Sequence, residues 1–309
     1  MMDFDELPRL NAATFQEPLG KLAEAMAQKV WREGSQQLTP PYVGMDIFTM
    51  IRHAMTTYEV LFYLNADVRR EEDCDWRARY GVATAPLVRT MIDCLYNITV
   101  ILEDPRENGV WYRKSGLKKR LLAIEDDSRV YGGNADWDEY LRNCNWALRG
   151  LMGSSNFTED EVRQAKAWQT LGMYLNVKPQ NMSANQSFLH RFTLAEWRQY
   201  SAMSHAGCEG YIGELPAGGY FVQDTLPMEQ REQLEHAYTM FLTRHIGRAA
   251  LILLCIVTEL QLYFRFDGAG INARIMKMWM ALQPLFEAKE LYDGHYSALL
   301  KRKGMAPRE

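Results

Sequence analysis

No CxxC pair occurs in this chain, and its five cysteines, Cys74, Cys94, Cys144, Cys208 and Cys255, are widely spaced and odd in number. That usage excludes a disulfide framework and a zinc knuckle, and it points to a reducing compartment. Positive charge is not in excess either. The formal net charge is -4 and the sequence pI about 5.9, so the chain does not coat nucleic acid with its whole surface. Any such contact is confined to a local patch. The longest apolar run, Ala249–Val257, spans nine residues between Arg248 and Glu259. It is too short for a membrane span and predicts a buried core helix. The opening Met1-Met-Asp-Phe-Asp-Glu6 is acidic where a signal peptide is basic and then apolar. A cytoplasmic protein with no membrane partner is expected.

Several site motifs are missing. There is no GxGxxG after a strand, no Walker A loop, no HExxH and no GxSxG elbow. None of the six histidines has Glu or Asp three residues before it, the spacing of carboxylate-bridged di-iron bundles. Dedicated nucleotide, zinc-protease and di-iron chemistry are excluded, and neither a cofactor nor a metal is expected.

Apolar residues at helical spacing are what the chain does contain. From Val43 to Arg70 the positions Ile47, Met50, Ile51, Ala54, Met55, Tyr58, Leu61 and Phe62 recur at threes and fours, which predicts a long amphipathic helix. Further helices are predicted at about 82–102, 111–125, 135–150, 158–175, 193–206, 227–264 and 271–302, with Lys178–Ser187 as a polar loop. Thr158 with Glu161, and Thr193 with Glu196, both have the spacing of a capping box. No alternating strand pattern and no repeat of 20–50 residues is present. The expectation is an all-α, multi-helix bundle built on long antiparallel helices. Residues 1–42 read as an N-terminal arm and 43–309 as one helical domain, within which 127–192 is a candidate insertion.

The sequence Thr193-Leu-Ala-Glu-Trp-Arg-Gln-Tyr-Ser-Ala-Met-Ser-His-Ala-Gly-Cys-Glu209 carries the candidate site. At about 100° per residue, seven residues bring Arg198 and His205 to within roughly 20° of one face. Ser201 and Cys208 fall on the same stripe. A second pair, Arg231 and His236, is about 140° apart in a charged stretch and reads as an exposed face. An imidazole, with a reference pKa of about 6.5, can move a proton near neutral pH, and a guanidinium can grip a phosphate. Tyr200 and Ser201 are candidate positioning groups. Arg89 and Asp93 lie at i and i+4 on a mostly apolar helix, in a polar stripe that Tyr96 and Asn97 extend. They read either as an ion pair fixing helix register or as support for His205. The basic run Arg113-Lys114-Ser-Gly-Leu-Lys118-Lys119-Arg120 is the local patch for RNA, or else a solvated face.

With Arg198, six intervening residues and His205, the chain resembles the HEPN superfamily of helical proteins. The segments Leu87–Asp93 and Tyr200–His205 also resemble uncharacterised bacterial helical families that pair an Arg-x-x-x-acid helix with a Tyr-Ser-x-x-Ser-His helix. Asp93 here replaces the usual Glu. The resemblance covers about 82–125 and 193–210, and it implies a metal-independent ribonuclease, a toxin or antiviral defence effector. Its expected partners are RNA, a second copy of the chain and a protein partner or antitoxin. A non-catalytic interaction or dimerisation module and a small-ligand sensor are the alternatives.

Overall fold

The computed structural model describes residues 15–66, 83–204, 227–266, 270–283 and 286–304. Among them the protein is all-α, with no strand. The principal helices are α1 (Glu17–Lys29), α2 (Tyr42–Ala66), α3 (Thr84–Glu103), α4 (Val110–Tyr131), α5 (Ala135–Ser154), α6 (Glu159–Gln164), α7 (Leu171–Tyr174), α8 (Ala184–Ser204), α9 (Met228–Phe264), α10 (Ile271–Leu282), α11 (Phe286–Leu291) and α12 (Ser297–Arg302).

Helix α3 is the hub, packed against α2, α8 and α9. Val88, Met91, Ile92, Leu95, Ile98 and Ile101 are fully buried on it, the three-and-four spacing that wraps most of a helix in apolar contact. Helix α9 is about 55 Å long at 1.5 Å per residue, and its stretch from Ala249 to Val257 lies wholly inside the core. The windows Thr84–Glu103 and Arg244–Phe264 have the length and hydropathy of membrane spans, but 61% and 83% of them are buried inside the fold. They are core helices of the bundle. Within the segment predicted to be an arm, α1 buries Leu19, Leu22, Ala23, Met26 and Ala27 against α2 and α9.

A second, smaller core unites α4, α5 and α6. Leu117, Leu121 and Ile124 face Leu141, Cys144, Leu148 and Met152, with Val162 closing the end. It joins the main bundle where the start of α4 meets α2. A Cβ on Gly109 would stand 2.6 Å from a Val43 methyl, so only glycine allows that approach.

Several boundaries differ from the sequence expectation. The stretch 158–175 is not one helix. The capping box of Thr158 and Glu161 does open α6, but the helix ends at Gln164. The chain then runs extended so that Trp168 can insert between α3 and α4. Its backbone N–H donates to Ser115 Oγ at 2.7 Å and its indole N–H to Asn97 Oδ1 at 2.8 Å. Helix α8 begins nine residues before Thr193. Ser183 and Gln186 form the true cap, each side chain accepting the other's backbone N–H, at 3.1 and 2.9 Å. Thr193 is buried inside the helix and its hydroxyl donates to the Leu189 carbonyl. The expected helix over 271–302 is interrupted once: α10 ends at Leu282, just before Pro284, and from Phe286 the chain is helical again through α11, a π-helical turn at Tyr292–Tyr296 and α12.

Candidate functional site

Helices α3 and α8 bring together two parts of the sequence more than a hundred residues apart. Arg89 and Asp93 are one turn apart on α3, and Trp197 and Ser201 are one turn apart on α8. Arg89, Asp93 and Trp197 close a ring, and Ser201 joins it through Arg89. Arg89 ion-pairs with Asp93 Oδ2, its Nε donates to Ser201 Oγ at 2.9 Å, and its guanidinium lies 4.4 Å from the Trp197 ring centroid. The Trp197 indole N–H donates to Asp93 Oδ1 at 3.2 Å. Both carboxylate oxygens are therefore engaged, one by a cation and one by an indole. Asn97, one turn further along α3, accepts the Trp168 indole in the same manner. Of the polar stripe seen in the sequence, Asp93 and Asn97 thus accept from two tryptophans, while the Tyr96 hydroxyl donates to the Gln169 carbonyl at 2.9 Å.

Burial shapes the electrostatics of this ring. It raises the Asp93 carboxyl above its ordinary pKa, and the Arg89 cation pulls it part of the way back. Burial likewise lowers Arg89 from its ordinary value against the opposing effect of Asp93. Arg198, one residue beyond Trp197, is exposed to solvent. Tyr200 points the other way, buried against His245 with ring centroids 5.2 Å apart. His205 and Cys208 lie outside the described residues, as does the side chain of His236.

The basic run on α4 is largely spent inside the fold. Arg113 bonds to Asp46 at 2.5 Å and Ser155 at 3.1 Å, with the Tyr42 ring centroid 5.1 Å away. Lys114 pairs with Glu161 at 3.0 Å, Lys118 donates to the Ala165 carbonyl at 2.8 Å, and Arg120 reaches Cys144 Sγ at 3.5 Å. Lys119 is exposed. These cations tie α4 to α2, α5 and α6, and they do not converge on the Arg89 ring.

Sequence reasoning missed a second polar knot, on the other flank of α8. Arg248 of α9 is only 9% exposed. Its Nη1 contacts Glu287 at 2.8 Å and its Nη2 contacts Glu196 at 2.7 Å and donates to the Phe192 carbonyl, while its face lies 4.2 Å from the Phe192 ring centroid. One helical stripe further on, Glu259 Oε1 stands 3.6 Å from His295 Nε2. Both atoms are buried, and beyond this contact neither has a hydrogen-bond partner among the described residues. Arg248, Cys255 and Glu259 fall at i, i+7 and i+11 on an otherwise apolar helix, and that spacing is the signal in the sequence. The thiols of Cys94 and Cys255 are deeply buried and raised by desolvation, Cys94 to about 12. Among the described residues no cluster of three or more His, Cys, Asp and Glu side chains is placed to hold a metal ion.

Comparison of the chain with protein-family models, with curated proteins and with solved structures finds no match.

Proposed function

We propose that this protein is a metal-independent, HEPN-like endoribonuclease of the cytoplasm, acting as a toxin or phage-defence effector. One observation supports the reading above the others: Arg89 Nε donates to Ser201 Oγ, which ties the Arg89/Asp93 motif of α3 to the helix that carries Arg198. Ser201 lies three residues after Arg198 and four before His205 in the sequence. In this reading Arg198, exposed on α8, binds the phosphate, and His205 takes the proton of the 2′-hydroxyl. The 2′-oxygen attacks phosphorus, the bond to the 5′-oxygen breaks, and a second histidine supplies the proton to that leaving oxygen. The second histidine comes from another copy of the chain. Arg89, Asp93, Tyr200 and Ser201 are positioning residues that fix the pitch of α8.

The test is cleavage of total cellular RNA in EDTA by wild type, Arg198→Ala and His205→Ala, with the fragment ends identified. Fragments ending in 2′,3′-cyclic phosphate are expected from wild type, with a loss on the order of 10²-fold or more in either variant. Equal background from three folded proteins overturns the reading. A non-catalytic interaction module then takes its place, for which the exposed aromatic group at the α4–α5 turn is the supporting observation. Tyr131 stacks on Trp137 at 4.3 Å, Tyr140 packs edge-on to Trp137, and Trp146 on the same helix is 80% exposed.

A further inference from the structure

A cavity of about 270 Å³ opens between α8, the middle of α9 at Arg248, and α11, on the flank of α8 away from the Arg89 ring. Its size is near the lower end of ligand pockets, which run from about 300 to 1,000 Å³. One wall is a stack of flat groups. The Arg248 guanidinium lies on Phe192, Phe192 is followed by Phe188 with the rings 14° from parallel, and Phe188 lies on the His295 ring at 4.3 Å and 6°. Phe286, 55% exposed, faces the cavity from α11.

The charges around this wall divide into two sets. Arg248 is held by Glu196, Glu287 and the Phe192 carbonyl, so its charge is already matched within the fold and it organises the cavity. Arg191 and Glu290 also line the cavity and are exposed. Among the described residues neither forms an ion pair, and Arg191 bonds only to the Ser187 carbonyl, at 3.4 Å. One cation and one anion are thus available around a small aromatic space. His295, which lines the cavity, meets Glu259 behind it at 3.6 Å.

We propose that this cavity binds a free amino acid with an apolar or aromatic side chain, its carboxylate on Arg191, its ammonium on Glu290 and its side chain against Phe188, Phe192 and Phe286. A simple anion would engage only Arg191 and a simple cation only Glu290. A zwitterion satisfies both, and a guanidinium holds a carboxylate through two parallel hydrogen bonds. The proposal rests on no part of the nuclease reading, since none of its residues is assigned to RNA.

Isothermal titration of the full chain with L-phenylalanine and L-leucine tests it, beside phenethylamine and 3-phenylpropionate, which each lack one charged end. One-to-one binding of at least one amino acid is expected. A loss of about tenfold or more in affinity is expected for the truncated probes on wild type, and for the amino acid on Arg191→Gln or Glu290→Gln. Both substituted positions are exposed, and unchanged melting temperatures check that the variants fold. No heat from either amino acid at millimolar concentration overturns the proposal. Binding that survives both substitutions, or truncated probes that bind as tightly as the amino acid, overturns it as well.

Discussion

Two arginines hold α8, one near each half, and they do so differently. Arg248 reaches from α9 to the first half and Arg89 reaches from α3 to the second. Each lays its guanidinium on an aromatic ring of α8, Phe192 at 4.2 Å and Trp197 at 4.4 Å. Their acids set them apart. Arg248 takes Glu196 from α8 and Glu287 from α11, so three helices meet at one cation. Arg89 takes Asp93 from one turn along its own helix, which leaves Nε to engage Ser201 across the interface. An acid from another helix makes the cation a staple. An acid on the same helix makes it an aimed side chain, and only the aimed arginine is joined to the helix turn that precedes His205 in the sequence.

The staple should be the more costly to break. Arg248→Ala leaves Glu196, itself 13% exposed, without its cation, and a loss of about 3–5 kcal/mol is expected, as for other half-broken buried pairs. Urea denaturation measures it, and Glu196→Gln added to Arg248→Ala should recover part of the loss, because the stranded charge is then removed. A loss below about 1 kcal/mol would show Arg248 to be a surface pair and would erase the contrast.

Trp197 gives the middle effect, because it belongs to the aimed arginine and sits at a partly exposed position. Trp197→Ala removes both the stack under Arg89 and the donor to Asp93, at a cost of about 2–3 kcal/mol. Trp197→Phe keeps an aromatic face and loses only the N–H, at about 1 kcal/mol. Equal losses in the two variants would mean that the indole hydrogen bond, and not the stack, holds Arg89.

The sequence showed one of these two knots and hid the other. Arg89 and Asp93 stand out because two charged residues a turn apart interrupt a helix otherwise written in Val, Met, Ile and Leu. Their α8 partners do not stand out, since a tryptophan at helical spacing is indistinguishable from core until the helices meet. Arg248 and Glu259 bound an apolar run and so resemble its solvent-facing ends. Their i, i+11 spacing places them near one stripe of α9, but their burial comes from α8, α11 and the His295 turn folding over them, which that spacing does not reveal. The start of α8 was obscured by chemistry that fits two places. Thr193-x-x-Glu196 and Ser183-x-x-Gln186 both have capping spacing, and the choice is made by Phe188, Leu189 and Phe192, which need a helix to reach the core. Helices α2 and α3 were readable from apolar residues recurring at threes and fours, and α9 from its apolar run Ala249–Val257.

The smallest effect lies in the pH dependence of stability, where Asp93 and Glu161 of the smaller core should respond with opposite sign. Asp93 titrates above its ordinary value of about 3.9 because it is desolvated. Its contribution is fully present below that ordinary value and is lost as pH rises through the raised one, so folding there disfavours the ionised form. Glu161 is held down at about 2 by the backbone and hydroxyl of Thr158 and by Lys114. Its contribution is present above its ordinary value of about 4.3 and is lost as pH falls through 2. In urea melts from pH 2 to 7, Asp93→Asn should therefore gain on wild type as pH rises past about 4. Over the lower part of the same titration, Glu161→Gln should fall further behind wild type as pH rises. An Asp93→Asn curve parallel to wild type would mean that the carboxyl is fully compensated by Arg89 and Trp197. The ring would then be as closed as the Arg248 staple, and the distinction between an aimed arginine and a structural one would rest on geometry alone.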